Sequence, residues 1–217
     1  MNAFKWSRTA VLSGALFFVV LVAQALVDNN SLDDRASGQA VIDLYRAHKG
    51  QMQVSAFLVC IAVLVGVFFY GMLRDYLATD PENAGLSRVA FGGALIFAAS
   101  GSMSAGLIFE LGHNAGGLDP SNAVALNDAQ IATNVFGYAG ISVLLVASAI
   151  AVLRSYVLPR WIGWMALVFG VVALVPWIGF AAFLGTGVWT LITSIAIYRR
   201  LGDSATTPAV TLTRSRT

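Results

Sequence analysis

The feature that most constrains this chain is the length of its uncharged stretches. Six segments, 9–27, 54–72, 89–111, 131–153, 161–178 and 181–198, are apolar almost throughout, with Glu110 as the one carboxylate among them. A hydrocarbon core of ~30 Å needs about 20 mostly apolar residues per helix. Each segment approaches that length, and no water-soluble core could hide all six. The expected fold is therefore all-α: a polytopic membrane helix bundle with six transmembrane helices.

Charge is correspondingly scarce. Only 11% of the 217 residues are charged, against about 25% in ordinary proteins. That excludes a soluble globular domain and a disordered chain. The net charge of +2 and the absence of a basic face exclude nucleic acid as a partner. The expected surroundings are the lipid bilayer, with other membrane proteins or further copies of the chain as possible company.

Placement of the basic residues orients the bundle. With six crossings and a cytoplasmic N-terminus, the inside segments hold Lys5, Arg8, Arg74, Arg88, Arg154, Arg160, Arg199, Arg200, Arg214 and Arg216. The outside loops hold Arg35, Arg46 and Lys49. Basic residues resist translocation, so both termini are expected in the cytoplasm of a bacterial inner membrane. The tail, 202–217, has no periodicity and reads as a disordered cytoplasmic extension.

Two places leave alternatives. Ala23-Gln24-Ala25 after an apolar run fits a signal-peptide cleavage site, although the run is long enough to span uncleaved. Residues 161–198 are barely two spans, broken by Pro176, Gly179, Gly185 and Gly187. They read as a hairpin whose first helix is kinked at Pro176, or as a re-entrant pair.

The loops carry their own patterns. Residues 41–49 are amphipathic and suit an interfacial segment or a cap on the bundle. Residues 112–130 are rich in turn formers, with Asp119-Pro120-Ser121 suited to turns and a helix N-cap. Asp80-Pro81-Glu82-Asn83 is a turn.

Small residues mark close helix packing in lipid. The third span pairs Ser100/Ser104, Gly101/Ala105 and Ser102/Gly106, so it is expected to be the central helix. Its serines would bond to helix carbonyls or to neighbouring helices. Ser100 and Ser104 are also candidates for a polar lining along a substrate path. Trp6, Tyr70, Tyr76, Tyr156, Trp161, Trp164, Tyr198, Trp177 and Trp189 read as an interfacial aromatic belt. The single cysteine, Cys60, reads as a small apolar packing residue.

Few residues could carry chemistry. Glu110 and His113 share a helical face if the helix continues past Gly112. This spacing is used in di-iron bundles, but those need matching ligands on other helices, and no second Glu-x-x-His exists. His48 falls on the same outer side, as do Asp33, Asp34 and Asp119. A metal site there competes with a plainer reading as an interfacial carboxylate and loop histidines. Neither histidine lies inside a span, so Ser100 and Ser102 have no base for nucleophilic catalysis. No phosphate-binding, dinucleotide or nucleophile-elbow motif occurs, and no cofactor is expected.

Leu158-Pro159-Arg160-Trp161-Ile162-Gly163-Trp164, opening the fifth span, resembles a stretch found in a family of small six-span bacterial integral membrane proteins of unknown function. Ile162 stands where a leucine is usual there. The resemblance implies six crossings and no particular activity. The expectation from the residues is an accessory or scaffolding subunit, or a small permease-like bundle. The rival is a membrane enzyme or sensor with an outer-face site around Glu110 and His113.

Overall fold

The structure is a computed structural model, and it describes residues 8–27, 36–175 and 178–206. Among these there is no strand. The helices are α1 (Arg8–Val11), α2 (Ser13–Val27), α3 (Gly38–Ala47), α4 (Lys49–Leu77), α5 (Ala84–Asn114), α6 (Pro120–Ser155), α7 (Arg160–Val172) and α8 (Gly179–Thr206), with a 3-10 turn at Pro81–Asn83 before α5.

Several helices outrun the apolar runs that announce them, because capping carries them into polar sequence. Asp119 caps α6: its carboxylate accepts the Ser121 backbone N–H at 3.1 Å, and Pro120 occupies the first turn. Helix α6 thus starts eleven residues before the apolar run at 131, and the loop expected over 112–130 shrinks to a short turn. Ser37 caps α3 through Ala40 N–H at 3.3 Å. Helix α5 continues through Gly112 to Asn114, and α8 runs to Thr206, taking in the first five residues of the segment read as tail. Residues 207–217 of that tail, Trp6, Trp177, Asp33 and Asp34 lie outside the described residues.

Helix α7 stops early. A proline ring clashes with the carbonyl four residues before it, and Val172, the last residue of α7, is four before Pro176. Turns at Ala173–Val175 follow, closed by Leu174 N–H to Val171 carbonyl and Val175 N–H to Val172 carbonyl at 3.1 and 3.0 Å. A helix kinked at Pro176 but continuous to 178 is therefore not what forms.

Helix α5 packs along α6 and α4, α2 packs on α4 and α8, and α7 packs between α6 and α8. Helix α3 lies across the ends of α4, α5 and α6 and closes a separate apolar core with Val41, Ile42 and Tyr45 against Met52, Ile108 and Leu111. Of the two roles open to this amphipathic segment, α3 takes the cap. At the opposite end, Asn83 Nδ2 donates to the Ala151 carbonyl and the Ser155 hydroxyl at 3.2 and 2.7 Å. Tyr156 turns the chain in the left-handed region at φ 56°. The Val157 carbonyl accepts from the Tyr76 hydroxyl at 3.3 Å and from the Arg200 guanidinium.

Three expectations are corrected. The central helix is α6, not α5: 61% of its most apolar stretch is buried against 33% for α5. Helix α5 is small-sided, but it turns Leu95, Ile96, Met103 and Phe109 outward. Trp189 and Tyr70 are not belt residues. Trp189 is fully buried with Nε1 donating to the Ile162 carbonyl at 3.2 Å, and the Tyr70 hydroxyl meets Thr190 at 3.0 Å. Trp161 and Trp164 do face outward. Cys60 is exposed rather than packed in the bundle.

Four helical stretches, Lys49–Leu77, Pro81–Asn114, Pro120–Ser155 and Ala181–Gly202, are long and apolar enough to cross a membrane; Ser13–Val27 and Arg160–Val172 are shorter apolar helices. Their outward faces carry large apolar side chains, such as Leu16, Phe57, Leu64, Phe68, Val135 and Phe136. That surface suits lipid and would be a liability in water.

Candidate functional site: a polar cavity inside the bundle

The residues singled out for chemistry at the α3 end do not converge. Glu110 and His113 share an exposed face of α5, as their spacing requires. Glu110 accepts from Asn114 Nδ2 at 2.6 Å on its own helix. The His113 ring stacks on Phe109, centroids 5.9 Å apart and planes within 6°. His48 sits at the α3–α4 corner with Nδ1 at 3.1 Å from the Leu44 carbonyl. Lys49 donates to the His113 backbone carbonyl at 3.3 Å, which places a cation beside this histidine as well as the Glu110 carboxylate. Among the described residues no three His, Cys, Asp or Glu side chains gather where a metal could be held. Asp119 is occupied as the α6 cap. The Ser121 hydroxyl, helped by the Ser121 backbone N–H, holds its carboxyl below the usual range.

Ser100 and Ser104 have a different setting. Both are buried at the α5–α6 seam. The Ser100 hydroxyl donates to the Thr133 carbonyl at 2.5 Å, and Ser104 accepts from Gln130 Nε2 at 2.9 Å. Ser102 faces outward and bonds back to the Ala98 carbonyl at 2.9 Å. The two buried serines edge a cavity of about 260 Å³ between α2, α4, α5, α6 and α8. Against ~30 Å³ per water in the liquid, that is room for on the order of nine waters or a small organic molecule.

Its wall is mostly apolar, with an uncharged polar minority. Gln24, Ser100, Ser104, Gln130, Asn134 and Tyr138 line it, with Val59, Phe97, Ile108, Ile141 and Phe183 as apolar wall. Three of the polar groups come from one face of α6, because Gln130, Asn134 and Tyr138 recur every four residues. Several amides and hydroxyls are engaged: Gln24 Nε2 donates to Ser55 Oγ at 3.1 Å, and Gln130 and Ser100 are bonded across the seam. Asn134 is exposed at the edge of the cavity and Tyr138 is half-buried; the Asn134 amide and the Tyr138 hydroxyl have no hydrogen-bond partner among the described residues. A polar group left so in an apolar setting costs free energy unless water or a ligand meets it. Among the described residues its lining holds no acid–base or nucleophilic pair.

The ends of the cavity follow from packing. On one side α5 and α6 touch backbone to backbone. A Cβ on Gly140 would lie 2.6 Å from Phe97 N, and one on Gly93 would lie 2.5 Å from Leu144 N. On the other side lies the α3 core. Phe97 and Phe183, edge to face at 6.0 Å, stand in the wall.

Four of these residues escape a reading of the sequence. Gln24 hides in Ala23-Gln24-Ala25, which resembles a cleavage site. Gln130 ends the loop just before the fourth apolar run, and Asn134 and Tyr138 are single polar residues within that run. The four-residue spacing was the available signal. Comparison with family models, with curated proteins and with solved structures returned no match.

Proposed function

We propose that this protein is a six-crossing integral protein of a bacterial cytoplasmic membrane, with both termini inside, acting as a small permease-like bundle that holds an uncharged polar solute in the cavity beneath α3. The cavity carries this reading: a space lined by amides and hydroxyls, within helices otherwise apolar, is costly to maintain in hydrocarbon unless water or solute uses it. The orientation is supported by Arg74, Arg88, Arg154, Arg160, Arg199 and Arg200, which all belong to the helix ends opposite α3. The shorter α2 and α7 are counted among the six crossings because lipid adapts to short spans by local thinning.

The test is chemical access. In a Cys60→Ala background, Asn134→Cys should react with a hydrophilic, membrane-impermeant thiol reagent added outside intact cells. Val135→Cys, on the outward face, should not. An epitope tag at the C-terminus should become reachable only after permeabilisation. An inert Asn134→Cys, or a tag reachable on intact cells, would refute the proposal.

A scaffolding role is the second reading, favoured by one observation. Gly85, Gly92, Ala99 and Gly106 recur every seven residues on α5, and the three glycines have open space where a Cβ would stand. A self-associating helix uses such a face. Disulfide cross-linking through Gly92→Cys, in the same Cys60→Ala background, would be the test. An enzyme or sensor at Glu110 and His113 has less support, since the partners of both are structural.

A further inference from the structure

We infer that the cavity's ligand is a short uncharged amphiphile: its hydrogen-bonding head lies against Asn134 and Tyr138, and its hydrocarbon end enters an adjoining apolar pocket between α2, α4 and α5. This rests on the proposed role of the cavity as a solute site. The pocket, about 70 Å³, is lined by Phe17, Leu21, Val63, Val67 and Ala94. It shares Gln24, Val59, Phe97, Gly101 and Phe183 with the polar cavity. The two spaces are therefore neighbours with a common wall, one rich in amides and hydroxyls and the other almost wholly apolar.

This grading selects a ligand class. The polar side can satisfy a carbonyl, an amide or a hydroxyl. An Asn side chain offers two donors and an acceptor, and a phenol offers one of each. These two groups are the ones in the lining without a protein partner, four residues apart on the same face of α6. A charged head would be stranded: the ionisable groups in the two linings are the phenols of Tyr138 and Tyr70, neither of which supplies a counter-charge, and a buried ion without one is strongly disfavoured. A head with no hydrocarbon end would leave the apolar pocket unused. That pocket is much the smaller of the two spaces, so the hydrocarbon end is a short chain.

The probes are hexanamide, acetamide and hexanoate. The reporter is Ala25→Cys in a Cys60→Ala background, in lipid nanodiscs, read by its rate of modification by a hydrophilic thiosulfonate. Hexanamide should slow the reaction about fivefold at a concentration where acetamide and hexanoate change it less than twofold. Tyr138→Phe, which removes only the hydroxyl, and Asn134→Leu should each weaken protection about three- to tenfold, the range for one lost hydrogen bond. In the unsubstituted protein, hexanamide alone should raise the thermal midpoint, which keeps the test independent of the reporter. Equal protection by acetamide would overturn the amphiphile and leave the solute cavity standing. Equal protection by hexanoate would overturn the uncharged head. A reporter that never reacts, with no shift in midpoint, would remove the solute cavity and this inference together.

Discussion

Gly140→Ala is the substitution that most directly examines the α5–α6 seam. The added Cβ would lie 2.6 Å from Phe97 N, 2.8 Å from the Gly93 carbonyl oxygen and 3.1 Å from Phe97 Cα, all backbone atoms that no rotamer change can move. Ordinary contact begins near 3.4 Å, so the helices must part locally by about 0.8 Å (the difference from 2.6 Å). A gap of 0.5–1 Å forfeits roughly a quarter to a half of each dispersion contact. The Ser100–Thr133 and Gln130–Ser104 bonds lie on the same seam and would stretch with it. Together these losses match overpacking penalties of about 2–3 kcal/mol. Replacing Gly by Ala inside a helix returns roughly 1 kcal/mol. The net expectation is about 1–2 kcal/mol of destabilisation, read as unfolding free energy in a mixed-micelle denaturant titration. Gly106→Ala on the same seam's outward side meets nothing within 4 Å, and it should be neutral or stabilising. If Gly140→Ala were as stable as the parent, or Gly106→Ala cost more, the backbone contact argued here would be wrong.

Other outcomes follow from single contacts. Asn83→Ala removes both bonds to the end of α6 and should cost about 1–2 kcal/mol, with faster hydrogen exchange confined to 78–83. Gly38→Ala would set a Cβ 2.0 Å from the Pro120 carbonyl oxygen; it should undock α3 and speed amide exchange there by about ten- to a hundredfold, leaving α7 and α8 unchanged. Acidification should fray the start of α6. The Asp119 carboxyl is held below its usual range, so capping is fully present above the ordinary carboxylate pKa of about 3.9 and is lost as pH falls through the lower folded value. Exchange at Ser121–Ala123 should rise in that window, and Asp119→Asn, which still accepts the N–H, should abolish the pH dependence.

The sequence made the helical class plain because apolar length is a one-dimensional property. It was less informative about helix ends: α6 reaches Pro120 because Asp119 caps it, and capped polar turns carry no hydrophobic signal. Helix-to-helix contact was the hardest part. Eight small residues in 98–106 draw the eye, yet the backbone crossing falls at Gly93 and Gly140, in stretches that look ordinary. Trp189 shows the same limit. A tryptophan in the last hairpin reads as one more belt residue until the Ile162 carbonyl is found in reach of its indole. Ser100 and Ser104 could be named as a possible lining; Asn134 and Tyr138 could not, since one polar residue in an apolar run has no partner visible in the chain.

The tight crossing and the cavity have a common cause. At Gly93 and Gly140 the two backbones touch. Two turns nearer α3, a single hydroxyl, Ser100, still reaches the Thr133 backbone carbonyl. One turn further, Ser104 is reached only by the full length of the Gln130 side chain. The bridging group lengthens as the helices draw apart, which is how two rods in contact at one point must behave. Beyond that, Ile108 and Leu111 rejoin neighbours only because α3 brings Val41, Ile42 and Tyr45 down as a separate core. The space is thus the wedge between a glycine crossing and a cap. Its walls are polar where seam bridges were needed, and Asn134 and Tyr138 add polar groups that no bridge requires. Packing accounts for the wedge and for the Tyr138 ring, which lies against Gly179; it gives no reason for the Asn134 amide or the Tyr138 hydroxyl, and the proposed ligand would.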